Sequence, residues 1–177
     1  YITSAGISLL NISTSESRLL YSNITEDFFQ VPSLYYDDQL KRLWIGTGSA
    51  GLFYYDIIRK SLSDIPIRNF PKQPILAIRK DAKNTLLIGI DGQGIWNISE
   101  KGDTILHIYK EDLNNPFSLR GDGVYDILCD GSKNWIATFT GKLSFFENNN
   151  SQITPVTYQI NNPNSLGNNY VNQIIED

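Results

Sequence analysis

Few side chains in this sequence could carry chemistry. The chain holds one cysteine, Cys129, and one histidine, His107, in 177 residues. A catalytic thiol needs a basic neighbour that lowers its pKa. Cys129 stands instead in Val124-Tyr125-Asp126-Ile127-Leu128-Cys129-Asp130, which reads as a packed strand. His107 lies in Ile105-Leu106-His107-Ile108-Tyr109, another strand-like run. One cysteine cannot form an internal disulfide, and the remaining oxygens show no EF-hand or other metal-ligand spacing, so neither a metal nor another cofactor is expected. Pairs of carboxylates can cleave glycosides, and Asp37-Asp38 and Glu111-Asp112 are such pairs by sequence. Adjacent strand residues point to opposite faces, however, so neither pair converges on one bond. No G-x-S-x-G, P-loop or H-E-x-x-H motif occurs. The residues favour binding over catalysis.

The elements that must position these side chains are strands. Hydrophobic residues make up 41% and charged residues 19%, which places the chain among globular proteins. Aromatics reach 12%, an enrichment that favours β structure. No segment keeps a 3.6-residue apolar period over three turns. The net charge is -4 with no Lys/Arg run, which argues against nucleic acid as a partner. No apolar run approaches the ~18 residues of a membrane span, so no membrane contact is expected.

Three segments read almost alike: Leu43-Trp44-Ile45-Gly46-Thr47, Leu86-Leu87-Ile88-Gly89-Ile90 and Asn134-Trp135-Ile136-Ala137-Thr138. A glycine turn and an aromatic strand follow the first, as Gly51-Leu52-Phe53, and Gly6-Ile7-Ser8 matches that part alone. A short apolar strand ending in aspartate precedes each core, closing at Asp38, Asp81 and Asp130, and again at Asp177. The aspartates recur at steps of 43, 49 and 47 residues. Periods of ~40–50 residues with about four strands are those of β-propeller blades. The fold class expected is therefore all-β: about three complete four-stranded antiparallel blades with partial blades at both ends. The expected spans are 1–28 (the last two strands of a blade), 29–72, 73–120, 121–167 and 168–177 (the first strand of the next). Outer strands are expected near 65–69, 105–110 and 156–160. The absence of methionine and the strand-like opening Tyr1-Ile2-Thr3 suggest a segment of a longer chain.

The repeat resembles the two-component regulator propeller family. The family's inner strand ends in Asp, a polar turn follows, and then Leu-Trp-Ile-Gly-Thr, matched in full by Leu43 to Thr47. Asn-Pro-x-Ser-Leu, common in the family before an inner strand, occurs at Asn115 to Leu119 and at Asn162 to Leu166. Leu87 in place of Trp and Ala137 in place of Gly depart from the pattern. The resemblance implies the periplasmic sensor propeller of a hybrid two-component sensor histidine kinase of the Bacteroides type, active as a homodimer. It implies an oligosaccharide or related small molecule as ligand, with the kinase's catalytic domain outside this segment. A protein-interaction or dimerisation scaffold is the alternative.

In a propeller, the connections into the inner strands share one face with the turns between second and third strands. That face is expected to gather Arg120, Asp122, Asn168, Asn169 and Tyr170 with Ser49, Asp91, Gln93 and Thr140. Connections on a rigid scaffold are where binding residues concentrate, and these side chains offer the amides, carboxylates and aromatic ring that a sugar needs.

Overall fold

The computed structural model describes residues 1–3, 5–22, 25–26, 30–139 and 143–176. Among these there are only strands and connections, arranged as four antiparallel sheets. The first holds β1 (Ile2–Thr3), β2 (Gly6–Leu10) and β3 (Ser17–Tyr21). The second holds β4 (Ser33–Asp37), β5 (Arg42–Gly46), β6 (Leu52–Asp56) and β7 (Ser61–Asp64). The third holds β8 (Ile75–Lys80), β9 (Leu86–Ile90), β10 (Gly94–Ile98) and β11 (Ile105–Tyr109). The fourth holds β12 (Val124–Cys129), β13 (Lys133–Thr138), β14 (Leu143–Glu147) and β15 (Thr154–Val156). Strands pair in chain order within each sheet, and the inner strands β4, β8 and β12 lie side by side. These are propeller blades.

Each core cluster is a seam between neighbouring sheets. Ile7, Ile45 and Tyr55 join the first to the second. Trp44, Leu52 and Ile65 meet Ile78, Leu86, Ile88 and Ile98 between the second and third. Leu87, Ile95 and Tyr109 meet Ile127, Ile136 and Phe146 between the third and fourth. The repeated glycine belongs to this packing. A Cβ on Gly46 would press on Ser33 Oγ and lie 2.6 Å from Ile75 Cγ2; on Gly89 it would lie 2.8 Å from Val124 Cγ1. Ile75 and Val124 begin the next sheet's inner strand, so the glycine sets how closely blades approach. Gly89→Ala is expected to cost about 2 kcal/mol, read as a lower urea midpoint at unchanged m-value.

Turn chemistry fixes the register. Asp81 Oδ1 accepts the N–H groups of Lys83 and Thr85, and Asp130 Oδ1 those of Ser132 and Lys133. In the second sheet this role falls to Asp37, not to Asp38 as expected: Asp37 Oδ1 accepts from Gln39 and Leu40. Asp37 is the strand residue paired with Arg42, so its side chain is the one aimed into the turn. Asp38 is exposed and pairs with Lys41 at 2.6 Å. The Asn-Pro-x-Ser-Leu segments are two copies of one turn. Asn115 Oδ1 accepts Phe117 N–H while Ser118 Oγ accepts Asp112 N–H, and Asn162 and Ser165 repeat this with Asn164 and Gln159.

Four expectations differ. The first sheet has three strands rather than two, because Ile2 and Thr3 pair with Ile7 and Gly6. The outer strand of the second sheet is Ser61–Asp64 rather than 65–69. Asp56 Oδ1 caps a tight turn through Ile58 and Arg59 N–H, and Lys60 at φ 55 returns the chain early. Ile65 then leaves the sheet and is buried in the seam with Trp44. In the fourth sheet the outer strand is Thr154–Val156 rather than 156–160, anchored by Ile153, whose N–H donates to Phe117 O at 2.9 Å. Residues 171–176 form no strand; Ile174 N–H donates to Asp126 Oδ2 at 3.0 Å.

Candidate functional site

The third and fourth sheets bring several of the expected residues together. Asp91 and Gln93 lie in the β9–β10 turn, and Asp122 in the connection into β12. Gly94 N–H donates to Asp122 O at 2.8 Å, Glu111 N–H to Asp122 Oδ1 at 2.7 Å, and Lys110 Nζ to Gln93 Oε1 at 3.2 Å. Gly123 is the hinge of the group. A Cβ there would lie 2.9 Å from Phe139 Cβ and 3.2 Å from Asp91 Oδ1, so both side chains close over its bare backbone. Phe139 N–H donates to Gly123 O at 2.6 Å, and the Phe139 ring, 67% exposed, sits 5.6 Å from that of Tyr125.

Other expected residues stand apart. Arg120 Nη2 donates to Pro116 O at 2.7 Å, tying its side chain to the Asn-Pro-Phe-Ser-Leu turn. Ser49 is exposed on the second sheet's turn. Asn168 Oδ1 accepts Tyr170 N–H and Asn169 Oδ1 accepts Tyr158 N–H, so both fold the closing segment on itself, with Tyr170 exposed. Thr140 lies outside the described residues.

Tyr125 leads to a feature that sequence reasoning missed. A cleft of about 450 Å³ opens among the inner strands, lined by Pro32, Leu76, Arg79, Tyr125, Asp126 and Asn172 among others. Bulges at equivalent places in β8 and β12, between Ile75 and Ala77 and between Val124 and Asp126, free Leu76 and Tyr125 from the ladder. A bulge re-aims a side chain, and both line the cleft. Deeper in, Arg79 Nη2 pairs with Asp126 Oδ1 at 3.1 Å. A periodic signal was present: Leu34, Leu76, Tyr125 and Asn172 occupy corresponding places in successive inner segments. Phe139 gave no signal of its own, because it continues the apolar run of β13.

Elsewhere the titratable groups serve packing. Burial, with the Asp81 carboxylate second, pushes the Cys129 thiol up to about 12. Cys129 is therefore expected to stay unalkylated by iodoacetamide at pH 8 and to react once urea unfolds the chain, as intact mass will show. The Trp135 indole and the Lys133 and Ser132 N–H groups hold the Asp130 carboxyl well below the usual range. Among the described residues no three His, Cys, Asp or Glu side chains converge to hold a metal, and no helix is long and apolar enough to cross a membrane.

The chain has the fold of a β-propeller segment. It is similar to the extracellular domain of BT4673 from B. thetaiotaomicron, described both as a one component and as a hybrid two component system. The TM-score is 0.62 at 20% identity, over 88% of this chain and 19% of that one. It is also similar to the extracellular domain of the hybrid two component system BT3049 from the same organism, with TM-score 0.52 and 18% identity over 86% of this chain and 25% of that one. PorZ, a surface component of the type-IX secretion system of Porphyromonas gingivalis, has TM-score 0.52 and 19% identity over 66% of this chain and 17% of its own. At these identities the likeness is one of fold, and the chain spans about a fifth of the length of the BT4673 domain. No family model and no curated protein matches the chain.

Proposed function

We propose that this chain is the ligand-sensing propeller segment of a two-component signalling receptor, lying in the periplasm, and that it binds an oligosaccharide at the axial mouth. The observation that carries this reading is the exposed Phe139 ring beside Tyr125, which lines the cleft, with the Asp91 carboxylate packed over the same Gly123 backbone. A sugar ring offers C–H faces that stack on an aromatic and hydroxyls that donate to carboxylates. A cleft of about 450 Å³ falls within the usual range for small-ligand sites. The fold likeness to extracellular domains of signalling systems supports the setting. Catalysis is assigned to domains outside the segment.

Calorimetric titration of the protein against a panel of neutral and acidic oligosaccharides tests the reading. Saturable heat with one glycan is expected. No heat across the panel, from protein whose circular dichroism shows it folded, would overturn ligand sensing here and leave the scaffold reading.

A further inference from the structure

The cleft carries a charged pair that the repeat does not require. Arg79 Nη2 lies 3.1 Å from Asp126 Oδ1. By register, Ala77 faces Gly89 as Asp126 faces Ala137, and Leu128 faces Trp135 as Arg79 faces Leu87. Blades of this chain are thus built at both places with apolar residues. A buried ion pair adds little over well-packed apolar side chains, so stability does not account for this one. Among the described residues that line the cleft, these two alone carry charge.

The two partners are unequally satisfied. Asp126 also accepts Ile127 N–H on Oδ1 at 2.9 Å and Ile174 N–H on Oδ2 at 3.0 Å, and its side chain is 11% exposed. Arg79 gives Nη1 to Ile78 O at 2.9 Å, which leaves Nε and further N–H groups on both terminal nitrogens without a partner, and its side chain is 36% exposed. The cleft therefore offers donors on a cation whose counter-charge is already held by two backbone N–H groups. A guanidinium of this kind matches a carboxylate, which accepts two parallel N–H bonds from the fork. The Asp91 carboxylate, packed over Gly123 beside Phe139, repels an anion from that end. We propose that the sugar taken here is acidic, a uronate whose carboxylate sits on Arg79 while a neutral ring covers Phe139. This inference rests on the ligand-sensing reading above.

Methyl esters separate charge from shape. The protein is titrated by calorimetry with oligogalacturonate and with glucuronate-containing oligosaccharides, each beside its methyl ester, which keeps the linkage and removes the charge. Saturable heat with one of the acids is expected, and binding weaker by about tenfold or more for its ester. Arg79→Gln, at unchanged circular dichroism, is expected to lose about tenfold or more for the acid and to bind the ester as before. Arg79→Lys keeps the charge but not the fork and is expected to fall between. Lys83→Gln, at an exposed cation on the β8–β9 turn, is the control and is expected to bind as the unsubstituted protein does. Equal affinity for acid and ester, saturable heat confined to neutral glycans, or an acid preference kept by folded Arg79→Gln would each overturn the acidic ligand and leave ligand sensing standing. No heat with any glycan, neutral or acidic, would overturn both. The ester comparison needs no substitution, so it decides the charge preference even where Arg79→Gln does not fold.

Discussion

Lys80→Met is expected to lower the unfolding free energy by about 3 kcal/mol at pH 7. Lys80 Nζ lies 3.0 Å from Asp37 Oδ2, 2.6 Å from Glu100 Oε1 and 2.9 Å from Gln39 Oε1, so one ammonium ties the turn of the second sheet to the third. Its side chain is 9% exposed and that of Asp37 only 1%. Methionine keeps the aliphatic stem but leaves Asp37 as an uncompensated buried charge beside Glu100. Removing one partner of a buried pair is what costs most. The exposed Asp38–Lys41 pair is the contrast: at 2.6 Å it is shorter than the Lys80–Asp37 contact, yet Asp38→Ala is expected to leave the urea midpoint almost unmoved, because water screens the pair. Burial alone would lower the Lys80 pKa, but the hydrogen bonds to Glu100 and Asp37 outweigh it and hold the ammonium above its ordinary value. A raised folded pKa gives a contribution fully present below the unfolded value near ~10.5. That contribution is lost as pH rises through the folded value, so the deficit of Lys80→Met is expected to be undiminished from pH 7 to 9 and to shrink only in strong alkali. Urea unfolding across that range checks both the magnitude and the sign.

Trp44→Ala is expected to cost about 4 kcal/mol. Trp44 is fully buried in the seam between the second and third sheets, 5.4 Å from the Tyr54 ring, with its ring edge 2.6 Å from where a Cβ on Gly102 would stand. Its removal leaves a cavity walled by two sheets that cannot both collapse into it. The repeat-equivalent Trp135 is half-buried and donates its indole N–H to Asp130 Oδ2 at 2.8 Å, so Trp135→Ala is expected to cost clearly less. Trp44 Nε1 has no hydrogen-bond partner. Trp44→Phe removes that unpaired group along with some volume and is expected to retain most of the stability. Thermal or urea unfolding of the three variants side by side gives the ranking. Equal losses at positions 44 and 135 would contradict the seam account.

The repeat was legible because it carries backbone demands. Gly46 and Gly89 recur where the next blade's inner strand approaches, and an aspartate recurs where a turn needs its backbone N–H groups satisfied. Adjacent aspartates at 37 and 38 satisfy the same sequence pattern, and only the pairing of Asp37 with Arg42 separates them. Outer-strand boundaries were displaced because turn length sets them, and the positive φ at Lys60 is not written in a lysine. The bulges at Leu76 and Tyr125 were invisible for a related reason: one extra residue in a six-residue strand leaves its apolar content unchanged. The site was therefore only half readable. Turn residues Asp91, Gln93 and Asp122 followed from propeller geometry, but Tyr125 and Phe139 look like ordinary strand residues until the bulge and Gly123 turn them outward.

The most direct test of binding at the axial mouth is the dissociation constant of Phe139→Ala for the glycan that gives saturable heat, measured by calorimetry beside the unsubstituted protein and beside Phe117→Ala. Phe117 is also an exposed aromatic, but it lies on the outer rim. Binding at the mouth predicts at least a tenfold loss for Phe139→Ala, about 1.4 kcal/mol, with Phe117→Ala unchanged. Unaltered affinity in a folded Phe139→Ala, or a loss confined to Phe117→Ala, would contradict it.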